Sequence, residues 1–102
     1  MRASSPVSEF ELKDIGDGHF ELSGDMSFGT VAEILRTSER AFGQFEKLEV
    51  NLSQVRKADS AGLALLLEWK VQAGQRAIQI NYVDIPESLL AIAKTTEVSE
   101  LI

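Results

Sequence analysis

The stretch Ala58-Asp59-Ser60-Ala61-Gly62-Leu63-Ala64-Leu65-Leu66-Leu67-Glu68-Trp69 packs a turn, a helix start and a nearly all-apolar helix into one short segment. Asp59 and Ser60 are residue types that cap helices, because each offers an oxygen to backbone N–H groups lacking a partner inside the helix. A helix is therefore expected to start at or beside Ser60 and to stop at Gly74. Stepping about 100° per residue from Ala61, Leu63, Ala64, Leu67 and Val71 fall on one side, and Gly62, Leu65, Trp69 and Ala73 on another. Glu68, Lys70 and Gln72 separate the two. A helix lying on a small domain needs one apolar stripe, so the second, carrying Leu65 and Trp69, is read as a surface that another protein covers. Burial beneath a neighbouring loop, or a contact between two copies of the chain, would account for it equally. Trp69 is the stronger candidate anchor, since interfaces favour tryptophan.

Working outward, Leu48, Val50 and Leu52 alternate with Glu49 and Asn51, so a strand delivers the chain into a loop over residues 53–60. Further upstream, Phe10 and Leu12, then Phe20 and Leu22, alternate with polar residues around Gly16-Asp17-Gly18, the pattern of an antiparallel hairpin. Gly24-Asp25 is read as the break after the second strand. Ser27 is read as the cap of a helix whose positions Val31, Ile34, Leu35, Ser38 and Phe42 recur at helical spacing up to Gly43. Downstream, Ile78, Ile80 and Tyr82 alternate as a fourth strand. Asp84-Ile85-Pro86 opens a third helix with Leu89, Leu90, Ile92 and Ala93 on its buried side, and Val98, Leu101 and Ile102 add a last packed turn.

The order β-β-α-β-α-β-α requires parallel crossovers between strands 2, 3 and 4, and these place helices against the sheet. The expected fold is α/β, with a mixed four-stranded sheet. Residues 1–8 read as a flexible N-terminal tail and residues 9–102 as a single domain. Loops beyond the carboxyl ends of the strands form the usual binding surface of such sheets, so residues 24–27 and 53–60 should meet there.

Composition narrows the function. A chain of 102 residues with 44% hydrophobic and 25% charged residues fits one soluble domain. Sixteen acidic against ten basic side chains give a net charge of −6, which disfavours nucleic acid and anionic lipid surfaces, and Arg56-Lys57 is the densest basic pair. Without cysteine the fold needs no disulfide. No stretch approaches the roughly 18 apolar residues of a membrane span, and the start lacks a signal segment, so a cytoplasmic location is expected.

Catalysis is not expected. The only histidine, His19, lies far from Ser60 in sequence, and no cysteine exists to act as nucleophile. Gly16-Asp17-Gly18 is too short to cradle phosphate and opens no helix, while Asp14 and Asp17 read as surface charge. His19 reads as a surface residue rather than a metal ligand or base, and no cofactor is expected. Gly62 reads as a close-packing residue at the helix start and Gly24 as a turn residue.

The segment from Leu48 to Leu63, preceded by Leu22-Ser23-Gly24-Asp25-Met26, resembles the STAS domain of anti-sigma-factor antagonists and sulfate transporters, over nearly the whole chain. Within that superfamily, Ala58 to Trp69 looks most like the MlaB-type STAS subunits of the Mla phospholipid-transporting ABC complex of Gram-negative bacteria. The resemblance implies a STAS fold and a non-enzymatic subunit, peripheral to the inner membrane, that docks on the transporter's ATPase subunit and through it on the permease. It also implies a part in outer-membrane lipid asymmetry. Ser60 falls where anti-sigma-factor antagonists carry a serine phosphorylated by a partner kinase, and where MlaB-type proteins carry threonine or serine at the ATPase interface. Asp59, Ser60, Ala61, Gly62, Leu65 and Trp69 are thus the expected partner-binding residues, with an anti-sigma factor kinase as the alternative partner. A phosphate on Ser60 would be favoured by the helix N-terminus and opposed by Asp59, and its charge would disrupt an apolar docking face. Ser27 and Asn51 depart from the family pattern, which often carries acidic residues there. A third possibility is a carrier of an acyl chain or nucleotide held between this helix and the sheet.

Overall fold

A computed structural model describes residues 9–102, so the tail expected over residues 1–8 lies outside the described residues. The elements are β1 (Phe10–Gly16), β2 (His19–Met26), α1 (Val31–Phe42), β3 (Lys47–Ala58), α2 (Ser60–Gln75), β4 (Gln79–Val83) and α3 (Glu87–Thr95), followed by a 3-10 turn over Ser99–Leu101. They line up in the order β1-β2-β3-β4. β1 is antiparallel to β2, while β2–β3 and β3–β4 are parallel, as the crossover argument requires.

Alternation along the strands sorts the sheet into two faces. Phe20, Leu22, Leu48, Val50, Leu52 and Ile80 enter a core shared with Ile34 and Phe42 of α1, Leu65, Leu66 and Trp69 of α2, and Leu89 and Ala93 of α3. Residues of the opposite parity, such as Glu21, Ser23, Glu49, Asn51 and Asn81, remain half-buried or exposed. The helices therefore cover one face, and the other is polar.

Several local expectations are corrected. β2 runs on through Gly24-Asp25 to Met26, because a register irregularity between those two residues is absorbed by Gly24 at φ 90°. A side chain there is excluded, since a Cβ would lie 2.3 Å from the Glu9 carbonyl oxygen. With β2 prolonged, β3 has a partner and continues through residues 53–58, pairing Val55 with Gly24 and Ala58 with Met26. Ser53, Gln54, Arg56 and Lys57 are exposed, so the alternation that marks a half-buried strand is lost there.

Helix α1 is not capped by the Ser27 side chain. The Ser27 carbonyl accepts from Thr30 N and Val31 N, and the Thr30 hydroxyl accepts from Ser27 N and donates to the Asp25 carbonyl. Helix α2 ends at Gln75, one residue beyond Gly74. Pro86 sits at the N-cap of α3, where only Leu89 and Ala93 are fully buried. In the last turn Leu101 points outward at 58% exposure, while Val98 and Ile102 pack on the core.

The largest correction concerns the second stripe of α2. Trp69 is 1% and Leu65 4% exposed, so the chain itself covers the surface that had been assigned to another protein. Trp69 lies 5.3 Å from Phe42 and 6.2 Å from Tyr82, ring centre to ring centre, and its Nε1 donates to Ser38 Oγ at 2.8 Å. Phe42 in turn meets Phe20 edge-on at 4.9 Å, so a row of aromatic rings crosses the core from β2 to β4. On the other stripe Leu63 is also buried, whereas Ala64 and Val71 are exposed and Leu67 half-buried.

Candidate functional site

The ends of β2 and β3 bring the β2–α1 loop beside the start of α2, and one carboxylate joins them. Asp59, in extended backbone at the N-cap, accepts from Ala61 N through Oδ1 at 2.9 Å. Through Oδ2 it accepts from Phe28 N at 3.1 Å. The same side chain therefore caps α2 and holds the loop that carries Phe28. A second tie lies alongside, where Arg56 donates to Asp25 Oδ1 at 2.9 Å. Gly62 lets α2 approach β2, since a Cβ at that position would sit 2.6 Å from the Met26 carbonyl oxygen.

This arrangement leaves an apolar groove between α1 and α2. Phe28, Val31, Ala32 and Leu35 form one wall, Ala61, Ala64 and Leu65 the other, and Glu68 stands at the end. Phe28 is 87% exposed, an unusual setting for a phenylalanine held by its backbone beside a helix start. The outward ridge of α2 continues the apolar surface through Leu67 to Val71, which is 54% exposed. Helix α2 carries apolar residues on its outward side as well as its inner ones, yet only the inner faces are covered.

The expected site residues are thereby sorted. Asp59, Ser60 and Ala61 meet at the groove mouth, with Ser60 exposed as the first residue of the helix. Gly62 lies beneath them in contact with β2, and Leu65 forms buried groove wall. Trp69 is separated from the surface and belongs to the core. Phe28 and Ala64 were absent from the expected partner-binding set. The signal for Phe28 was a large aromatic residue followed by Gly29 in a loop, and for Ala64 it was membership of the first stripe.

Elsewhere, His19 stands at the opposite end of β2, where its Nδ1 lies 3.0 Å from Glu49 Oε2. Burial pushes the Tyr82 phenol well above its ordinary range, and its hydroxyl donates to the Leu66 carbonyl. Among the described residues, no group of three or more histidine, aspartate or glutamate side chains is placed to hold a metal ion. Among the same residues, no helix is long and apolar enough to cross a membrane.

Comparison with known proteins places this geometry. The family described as "Mlab, STAS domain" matches residues 13–102. The structure is similar to that of the anti-sigma factor antagonist SpoIIAA in its unphosphorylated form, with a TM-score of 0.69 at 14% identity, covering 90% of this chain and 84% of that one. It is also similar to a sulfate transporter family protein from Wolinella succinogenes, with a TM-score of 0.64 at 18% identity, covering 88% of this chain and 74% of the other. No curated protein sequence matches the chain. The architecture is the STAS fold.

Proposed function

The chain belongs to the MlaB-type STAS family, and from that membership we propose that it is a non-enzymatic cytoplasmic subunit that binds the ATPase of an MlaFEDB-like ABC transporter. In this role it supports the assembly and activity of a complex that moves phospholipid and maintains outer-membrane lipid asymmetry, and it reaches the membrane only through its partners. The observation that carries the reading is the exposed apolar surface from Phe28 across Ala61 and Ala64 to Val71, beside the start of α2. An uncovered surface of this kind on a small protein suits a lasting protein contact. The test is to co-express the full chain with the ATPase of a neighbouring ABC transporter locus and follow co-elution. Wild type should co-elute, and Ala64→Glu should not, with both melting alike. Equal co-elution of the variant, or none by the wild type, would sink the reading.

A second reading, an anti-sigma-factor antagonist controlled by phosphorylation, is favoured by the exposure of Ser60 at a helix N-terminus. A phosphate there would be stabilised by the helix dipole while crowding Asp59. Transfer of labelled phosphate from ATP to the wild type but not to Ser60→Ala, by an anti-sigma kinase of the same organism, would support it. Absence of transfer counts against it.

A further inference from the structure

The apolar groove does not end in solvent alone. Beyond Glu68, the last residue of its lining, Gln72 Nε2 donates to Glu68 Oε2 at 3.2 Å and to Glu39 Oε2 at 3.4 Å, so two carboxylates from two helices bracket one amide. Glu39 and Glu68 are both exposed, and the ion pairs found among the described residues engage Glu33, Glu49 and Asp25 instead. Glu68 is also the one charged residue on the outward side of α2, where Ser60, Ala64, Leu67 and Val71 are its neighbours. The channel ends at Glu68, with Glu39 beyond it beside Gln72 and Arg76, and the two carboxylates outside those ion pairs define what fits it.

Resting on the docking surface just proposed, we propose that the groove receives an amphipathic helix of the partner whose apolar side chains lie along Phe28, Ala61 and Ala64. A lysine or arginine on that helix reaches Glu39 and Glu68. Charge decides between occupants. A second copy of this chain would bring glutamates toward glutamates in a molecule already at −6, and an anionic lipid surface would meet the same repulsion. A cation seated between the two carboxylates makes charge-assisted hydrogen bonds in a site that docking dries. Gln72 contributes by holding both carboxylates in place before the partner arrives, which lowers the ordering cost of binding.

The partner need not be identified for the test. A display library of randomised helical peptides is panned on the full chain, and enriched peptides are measured by fluorescence anisotropy against wild type, Ala64→Glu and the Glu39→Gln/Glu68→Gln double variant. Peptides carrying Lys or Arg one or two turns from an apolar cluster should be enriched. Their affinity should fall about 5- to 30-fold in the double variant, the loss of one good charge-assisted contact, and the salt dependence should flatten. Ala64→Glu should abolish binding. No enrichment, enrichment without a basic bias, or affinity within twofold in the double variant overturns the proposal. So does dimerisation of the free chain by sedimentation, or binding to vesicles containing phosphatidylglycerol. Failure of the ATPase to co-elute with wild type would reject the transporter reading while leaving the peptide result to stand by itself.

Discussion

Asp59 shows how much one side chain can hold. Each of its oxygens accepts from a different segment, one from Ala61 of α2 and one from Phe28 of the preceding loop. Asp59→Asn keeps an acceptor for Ala61 but offers at most one oxygen, so the loop tie is lost first. Hydrogen exchange at the Phe28 amide should accelerate in Asp59→Asn, and Asp59→Ala should lose about 1–2 kcal/mol in urea titration as cap and tie go together. Unchanged exchange in both variants would show that the bond to Phe28 does not hold the loop. Gly62 gives a second residue-level expectation. Alanine is normally the better helix former by roughly 1 kcal/mol, but here its Cβ would press on the Met26 carbonyl oxygen, a backbone atom. Gly62→Ala should therefore lower stability by about 1–3 kcal/mol, and a gain in melting temperature would contradict the close approach of α2 to β2.

At the scale of elements, α2 and α1 are joined by Trp69 and Ser38. Ser38 is a polar residue at an apolar-spaced, buried position of α1, and such a group needs a hydrogen-bond partner. Its hydroxyl accepts from the Trp69 indole and donates back to the Leu35 carbonyl, so the serine is satisfied on both sides. Trp69→Ala should cost about 3–5 kcal/mol in chemical denaturation, a core lesion rather than a binding lesion. Any loss of partner binding in that variant then follows from loss of fold. If Trp69→Ala melts like wild type yet no longer docks, the burial described for it is wrong and the tryptophan is an interface residue after all.

For the whole molecule, pH offers a test of how the layers are closed. Tyr82 of β4 packs partly buried against α2, and burial of its phenol holds it neutral well above its ordinary value of about 10. Below that value the group is neutral in both folded and unfolded chains, and its contribution to stability is fully present. Above it the unfolded chain releases the proton and the folded chain does not, so stability falls as pH rises, by up to about 1.4 kcal/mol per pH unit. Denaturant midpoints measured from about pH 8 to 11.5 should show this alkaline decline in wild type and a shallower one in Tyr82→Phe. Parallel curves would place the tyrosine in contact with solvent.

By itself the sequence determined the order of elements, the mixed sheet, the start of α2 at Asp59-Ser60 and the family, because these rest on periodicity, caps and a local motif within a few residues of one another. It also showed that α2 carries two apolar stripes, separated by Glu68, Lys70 and Gln72. Which side of that helix is left uncovered was decided only by the tertiary structure. Trp69 and Leu65 look outward or inward depending on whether α1 lies over them, and α1's position is set by the β2–α1 loop, by Ser38 and by the aromatic row behind it. The prolonged β2–β3 pairing was hidden for the same reason, since exposed ends of strands carry no alternation. Phe28 joins the site only because a carboxylate 31 residues later accepts its backbone N–H. Contacts between segments distant in the chain leave no periodic trace in it, and the docking surface is built from such contacts.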